Sequence, residues 1–412
     1  VSDALPISRR TFLGESGGLL AILAARKPPP AHLPGRKRYD VLIRNGTVFD
    51  GTGAPGVEQD VALAGGRITA VGGQLGEDAV LVIDARGLAV SPGFIDIHSH
   101  ADGTMFKDPR VESVIRQGVT TVVVGQDGSS HEPTRTDAAD ARHGATTPGT
   151  PTGKTIGDFL KQVDALPSSV NVASMVGLGT VRHVVVGDAD RPATDAELRA
   201  MVAMVEAAVE SGACGASSGL EYVPGIFASR DEMIALCRPL AARGLPYATH
   251  MRNEDDELLE SVDEAIAIAR GAACPLEISH LKCEGERNWG KLDAVFARVT
   301  EARQAGVDAA FDVYPYEAYQ TGLDNLFPKW SKDGGTDAFL TRIADSTVTP
   351  KLRAAVLEKI DLLGGWDHVL IASVADSADR AAEGQRLGAY AGSIGGDPYA
   401  AAVGLLTRSH GS

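Results

Sequence analysis

Aromatic residues make up only 5% of the chain, and nowhere do they interleave with a basic stripe. Positive charge is also in deficit: 54 aspartates and glutamates face 39 lysines and arginines, for a formal charge of −15. A sequence-independent grip on nucleic acid needs clustered cations, so nucleic acid is not an expected partner. Cysteine is scarce. Cys214, Cys237, Cys274 and Cys283 are the only four, and none forms a C-x-x-C pair, so burial as small apolar side chains is expected for at least three. No run of 18 apolar residues occurs, and no membrane span is expected. Lysine is missing throughout residues 162 to 281, an absence that bears on the chemistry below.

Near the N-terminus, Ser8-Arg9-Arg10-Thr11-Phe12-Leu13 opens a weakly apolar segment that ends in charged and proline-rich residues. It resembles a twin-arginine export signal. Residues 1–38 are read as export signal and linker, implying an exported, periplasmic protein; the alternative is a disordered basic tail on a cytoplasmic one.

Residues 39–92 read as a small β domain. "YDVLIRNGTVFDGTG" alternates and carries a hairpin signal at Asn45-Gly46, "DVALAGGRITAVGG" turns at Gly65-Gly66, and "AVLVIDARGLAV" adds a strand. From residue 93 to 320 the rhythm becomes strand, then helix, repeatedly. Thr194-x-x-Glu197 and Ser229-x-x-Glu232 look like capping boxes, and Gly212, Gly244, Gly271 and Gly306 mark helix ends. Continuous apolar strands alternating with amphipathic helices point to a parallel α/β sheet. Both a doubly wound sheet and a TIM (β/α)8 barrel fit that rhythm. The polar residues favour the barrel: histidines end the first, fifth and sixth strands, and only a closed sheet brings so many strand ends to one mouth. Seven strands are countable, and an eighth is not found. Residues 321–412 change texture and read as an inserted, incomplete subdomain.

"GFIDIHSH" (93–100) carries the chemistry. Alternate strand residues share a face, so His98 and His100 project together. Two imidazoles in one pocket repel when both are protonated, so one shared cation, bound by the neutral rings, is the natural occupant. His250 in "YATHMRN" and His280 in "EISHLK" bring the count to four histidines on three strands, which points to a metal site. His131, His143 and His183 have no strand-end context and are read as structural.

Six ordered motifs, "VLIRNGTVFDGTG", "SPGFIDIHSH", "GVTTVVVG", "ATHMR", "ISHLK" and "DVYPY", resemble the amidohydrolase superfamily, nearest to its N-acyl-D-amino-acid deacylases (D-aminoacylases). The resemblance covers residues 39–412. It implies a metal-dependent TIM barrel beside a small β-sandwich, with one or two Zn2+ ions held by His98, His100, His250 and His280.

The chain departs from that pattern in three places. Many such deacylases carry Asn-Cys-Gly after the second strand, with the cysteine on zinc; here the residues are Gln126-Asp127-Gly128, and Asp127 either replaces the thiolate or caps a loop. The cyclic-amide branch bridges two metals with a carbamylated lysine near strand four, where this chain has no lysine. Glu221, directly after the fourth strand, is a second candidate bridge. Third, the superfamily's proton-transferring aspartate at the end of strand eight has no match, so no catalytic residue is assigned; Asp376, after "VLIASVA", is a conceivable stand-in.

By resemblance Lys282 binds the substrate's carboxylate, Tyr222 and Tyr314 line the pocket, and Arg252 is a weaker carboxylate binder. The expected activity is zinc-dependent hydrolysis of a linear amide, most simply an N-acyl-D-amino acid, a small-molecule substrate bearing a carboxylate. The alternatives are a cyclic amidase or dipeptidase of the same superfamily, and an inactive metal-binding fragment lacking the eighth strand.

Overall fold

A computed structural model describes residues 38–76, 78–131 and 155–411; the paired arginines and His143 lie outside the described residues. Two compact units divide at Phe94 and Ile95. The first holds β1 (Tyr39–Val48), β2 (Val57–Ala64), β3 (Arg67–Gly72), β4 (Ala79–Asp84) and β5 (Ala89–Val90). β1 is the hub: it pairs antiparallel with β2 and parallel with β4 and β5. Tyr39, Leu42, Ala62 and Ala79 form the buried centre.

Gly65 and Gly66, at φ 58° and 72°, make the expected two-residue turn between β2 and β3. Asn45-Gly46 does not turn a hairpin. It forms a bulge inside an unbroken β1, where the register shifts between Ile43 and Gly46. The Asn45 backbone N–H donates to Asp60 Oδ1 (3.1 Å) and its side chain to Asp84 Oδ1 (3.0 Å), so both neighbouring strands hold the irregularity. The expected sandwich is a single five-stranded sheet among the described residues, because every strand ladders onto β1 or β2.

β6 (Phe94–Asp96) leads into the second unit, which continues with β7 (Val119–Val124), β8 (Asn171–Ser174), β9 (Val176–Gly177), β10 (Ala216–Gly219), β11 (Tyr247–His250), β12 (Leu276–Ile278) and β13 (Ala309–Phe311). Met175 alone separates β8 from β9, so these runs occupy seven strand positions in chain order. From β7 to β13 the recorded pairings are parallel. His98, just past the first strand, lies 3.4 Å from Asp312, just past the seventh (Nδ1 to Oδ2). In a flat sheet those ends would be about 29 Å apart, six spacings of about 4.8 Å. The sheet therefore curls as a barrel does, although no pairing joins β13 to β6 among the described residues.

Helices α1 (Glu112–Ile115), α2 (Ile156–Asp164), α3 (Leu178–Val185), α4 (Asp195–Glu210), α5 (Arg230–Ala241), α6 (Leu258–Ala272) and α7 (Leu292–Gln304) intervene between the strands. Thr194 and Glu197 form the complete capping box of α4. Ser229 caps α5 from one side only, because Glu232 turns inward to the buried Arg182 instead. Gly271 does not end a helix. It lies inside α6, where a Cβ would meet the Ile234 side chain at 2.8 Å, and Ala273 takes the left-handed position beyond. Cys214, Cys237 and Cys274 are buried and Cys283 partly so; all four are free.

Residues 321–411 add α8 (Gly335–Ala344), α9 (Thr349–Leu362), α10 (Leu387–Ser393) and α11 (Pro398–Arg408), packed around their own apolar cluster including Phe327, Phe339, Leu352, Val356 and Tyr399. "HVLIASVADSAD" forms no strand beyond one isolated bridge, Leu370 to Arg386. Asp376 is no stand-in base: its side chain accepts from the Ala378 N–H (2.9 Å) and caps a short 3-10 turn.

Candidate metal centre

β6 is only three residues long, so His98 and His100 stand on the bend beyond it rather than on the strand itself. Their rings still face one region, with centroids 5.4 Å apart, and Ser99 between them is buried. Asp127 meets them from the loop after β7. Its Oδ2 lies 3.2 Å from His100 Nε2 and 3.4 Å from His98 Nε2, and its Oδ1 lies 3.7 Å from His280 Nε2.

That loop is seated by backbone-on-backbone packing. Ser217 of β10 donates through Oγ to the Gly125 carbonyl (2.6 Å) and accepts from the Gly128 N–H (3.1 Å). A Cβ at Gly177 would approach the Gly128 carbonyl at 2.5 Å, and one at Gly219 would run into the Asp127 carbonyl. Asp127 itself is left-handed at φ 52°, as is His280 at φ 37°, conformations that cost a non-glycine residue energy and that gather at functional sites. Gly219→Ala is therefore expected to push Asp127 away from the histidines and weaken metal affinity about 10- to 100-fold. Titration of the metal-free variant with Zn2+ measures this; wild-type affinity would contradict the seating described.

His250 closes β11 and is buried. Its Nε2 is 2.9 Å from Glu221 Oε2, and its Nδ1 is 2.9 Å from His280 Nε2. His280 turns its Nδ1 to Glu254 Oε1 (3.1 Å), and its backbone N–H donates to Asp312 Oδ1 (2.6 Å). Lys282 Nζ donates to Glu254 Oε2 (2.6 Å) and lies 5.5 Å from the centroid of the Tyr314 ring. The Tyr222 ring is 4.5 Å from that of His250, and its hydroxyl is 3.2 Å from Thr321 Oγ1. These side chains line a cavity of about 550 Å³ that also includes Tyr319 and Asn325.

Arg252 does not join them. β11 ends at His250, so the alternation that would aim Arg252 into the cavity has already stopped. Its guanidinium is spent on Glu264 (2.9 and 3.0 Å) and on the Ile226 and Ala228 carbonyls. His131 stacks on Phe159 with centroids 4.5 Å apart, and His183 pairs with Asp188 (2.7 Å), away from the cavity lining. Two buried or half-buried acids escaped the sequence reading. Glu254 was signalled only by the acidic run after "HMRN", and Asp312 by its place at the end of the seventh strand.

The cluster calls for positive charge. Burial pulls the His98 imidazole down, yet the Asp127 and Asp312 carboxylates outweigh it and push it up to about 10. Burial likewise opposes charge on His280, and Asp127 and Glu254 raise it to about 9. Burial would raise Glu254; the His280 hydrogen bond, with His250 and Lys282, brings it to about 2. Ligands of one tetrahedral zinc, bonded at about 2.0–2.1 Å, stand about 3.3 Å apart. The Asp127 distances to His98 and His100 match that edge. Asp127 Oδ1 is buried without a hydrogen-bond partner, as expected of an electron-pair donor at a cation site, whereas His98 Nδ1 and Asp312 Oδ2 are turned toward each other at 3.4 Å. Asp127 belongs to two ligand groups, with His98 and His100 and with His250 and His280; Glu221 groups with His250 and Glu254. Asp127 thus shares a group with all four histidines, whereas Glu221 shares one with His250 alone.

Lys359 of α9 reaches this region from the 321–411 segment. It donates to Asp255 Oδ2 (2.9 Å) and Glu284 Oε1 (2.7 Å), and Glu284 also accepts from the Tyr319 hydroxyl (2.7 Å). Lys359→Met leaves two enclosed carboxylates without their cation and frees the Tyr319 wall. A rise in KM on the order of tenfold is expected, larger than any change in kcat; Lys359→Arg should recover much of it in the same steady-state assay.

The Amidohydrolase family model matches residues 81–402. The chain is 40% identical over 286 residues to the N-acyl-D-aspartate deacylase of Alcaligenes xylosoxydans xylosoxydans, covering 69% of this chain and 57% of that protein. It is 38% identical over 292 residues to the D-aminoacylase of the same organism, covering 69% and 59%. The crystal structure of N-acyl-D-glutamate deacylase from Bordetella bronchiseptica, complexed with zinc and a phosphonate mimic of the tetrahedral intermediate, superposes with a TM-score of 0.74 at 33% identity, covering 89% of this chain and 70% of that one. A D-aminoacylase with a binuclear metal centre gives a TM-score of 0.72 at 34% identity, with the same coverage. The chain thus spans somewhat under three fifths of the curated relatives' length. Matched over most of its length by the family model and by these structures, it belongs to the amidohydrolase family, among its D-aminoacylase-like members.

Proposed function

We propose that this chain carries the metal-binding core of a hydrolase of linear amides, and that its substrates are N-acylated D-amino acids. The observation that carries the reading is Asp127 set among His98, His100, His250 and His280, four imidazoles from three strand ends. His98, His100 and Asp127 would hold one divalent cation, and Asp127, His250 and His280 a second. When bound, such a cation lowers the pKa of water to about 7 and polarises a carbonyl oxygen.

The chain's own groups supply position. Glu221 fixes the His250 ring through Nε2, and Asp312 fixes the His280 backbone. Glu254 holds both His280 and Lys282, keeping the ammonium beside the centre. Lys282 Nζ faces Glu254 and, at 2.9 Å, His280 Nδ1, which leaves one of its three N–H groups to donate elsewhere, and the Tyr314 hydroxyl is buried with no partner. Together they can receive the carboxylate of the substrate while its amide lies toward the histidines. Tyr222 closes the side next to His250.

Assay of the full gene product with added Zn2+ on N-acetyl-D- and N-acetyl-L-amino acids tests this. Hydrolysis of D-substrates with the L-series left intact is expected. A metal-loaded protein that hydrolyses no N-acyl-D-amino acid would overturn the proposal. Lys282→Met is expected to raise KM by about 10- to 100-fold with a smaller change in kcat, since it removes one cation from the ground state and transition state alike.

A further inference from the structure

Among the described residues, every candidate ligand atom is an imidazole nitrogen or a carboxylate oxygen; four histidines, Asp127, Glu221 and Glu254 supply them all. The sulfurs are elsewhere. Cys214 packs with Val123, Met175 and Ala248, while Cys237 and Cys274 sit in the main apolar core, with Cys283 packed against it.

The two oxygens of Asp127 divide their neighbours. Oδ2 faces His100 and His98 at 3.2 and 3.4 Å, and Oδ1 faces His280 at 3.7 Å, buried and without a hydrogen-bond partner. A carboxylate placed this way offers one oxygen to each of two cations. A thiolate would offer both the same atom, and a soft one. Soft donors select soft cations, whereas carboxylate and imidazole suit manganese, cobalt and zinc.

We propose that Asp127 bridges two divalent cations with one oxygen each and sets the metal preference of this centre, turning it toward Mn2+, Co2+ and Zn2+ and away from Cd2+. The proposal rests on the reading of the cluster as a metal centre. Affinity rises from manganese toward copper for almost any donor set, so the informative quantity is a ratio compared between variants.

The test titrates chelator-stripped protein separately with MnCl2 and CdCl2, for wild type and Asp127→Cys, and records the absorption spectrum with CoCl2. The ratio of Cd2+ to Mn2+ affinity is expected to rise at least about tenfold in Asp127→Cys, as a soft ligand replaces a hard one. A sulfur-to-cobalt charge-transfer band should appear in the variant and be missing from wild type. Wild type should bind two Mn2+, with the spin-coupled resonance of a neighbouring pair. An unchanged ratio, a sulfur band in wild type, or a single Mn2+ per wild-type chain overturns the proposal. Should Asp127→Cys fail to fold by circular dichroism, Asp127→Asn decides: loss of the coupled pair is expected, and its retention overturns the bridge. None of these readouts depends on turnover. Protein with this selectivity but no amide hydrolysis defeats the proposed function alone, and an active deacylase whose selectivity ignores residue 127 defeats this inference alone.

Discussion

His250→Ala is expected to lower kcat/KM for an N-acyl-D-amino acid about a thousandfold, several kcal/mol of transition-state stabilisation at 1.36 kcal/mol per decade. His250 is shared between two potential ligand groups, with Asp127 and His280 on one side and Glu221 and Glu254 on the other. Its removal takes a donor from both and leaves Glu221 without its 2.9 Å partner. The fold should survive, because the side chain lies at the open end of β11 and the strand's ladder is made by backbone. Steady-state kinetics beside metal content check this. A variant that keeps its full metal and loses less than about tenfold would show that His250 is not in the machinery.

Arg182→Met is expected to cost about 3–5 kcal/mol of stability, because it leaves a buried carboxylate without its counter-charge. Arg182 on α3 is only 1% exposed; its Nε donates to Glu232 Oε1 at 2.9 Å, and Nη2 donates to the Arg191 carbonyl at 2.7 Å. Glu232 on α5 is 5% exposed, so water cannot take over. With an unfolding entropy of about 2.1 cal/mol/K per residue, a chain of this size shifts by roughly 1 °C per kcal/mol, so the melting temperature should fall by about 4–6 °C. The double variant Arg182→Met with Glu232→Leu should recover most of the loss, since an apolar pair of similar volume is often as stable as the ion pair. Denaturant unfolding measures both. A single-variant loss below about 1 kcal/mol would mean the pair is solvated after all.

Local chemistry was legible in the sequence. The β-α rhythm, the Thr194 cap and the two-residue turn at Gly65-Gly66 each follow from residues close in the chain. So did the four histidines, because strand ends announce themselves in apolar runs. Several of the misreadings share a cause, which is that contacts from residues well separated in the chain decided the outcome. Asn45-Gly46 becomes a bulge because Asp60 and Asp84, 15 and 39 residues away, capture Asn45. Arg252 turns from the cavity because Glu264 and two carbonyls 24 and 26 residues back claim it. Lys359 is 104 residues from Asp255 and 75 from Glu284, and nothing in the pattern around it points to either. The role of Asp127 was left open between a ligand and a loop cap. Its backbone does take a loop conformation, while its carboxylate faces three imidazoles.

Elemental analysis joined to chelation tests the central claim most directly. Purified protein should contain a divalent transition metal, lose it and any amide hydrolysis together on dialysis against a chelator, and regain both when the cation is restored. Protein that carries no such metal as isolated, and that binds none when it is supplied, would contradict the account.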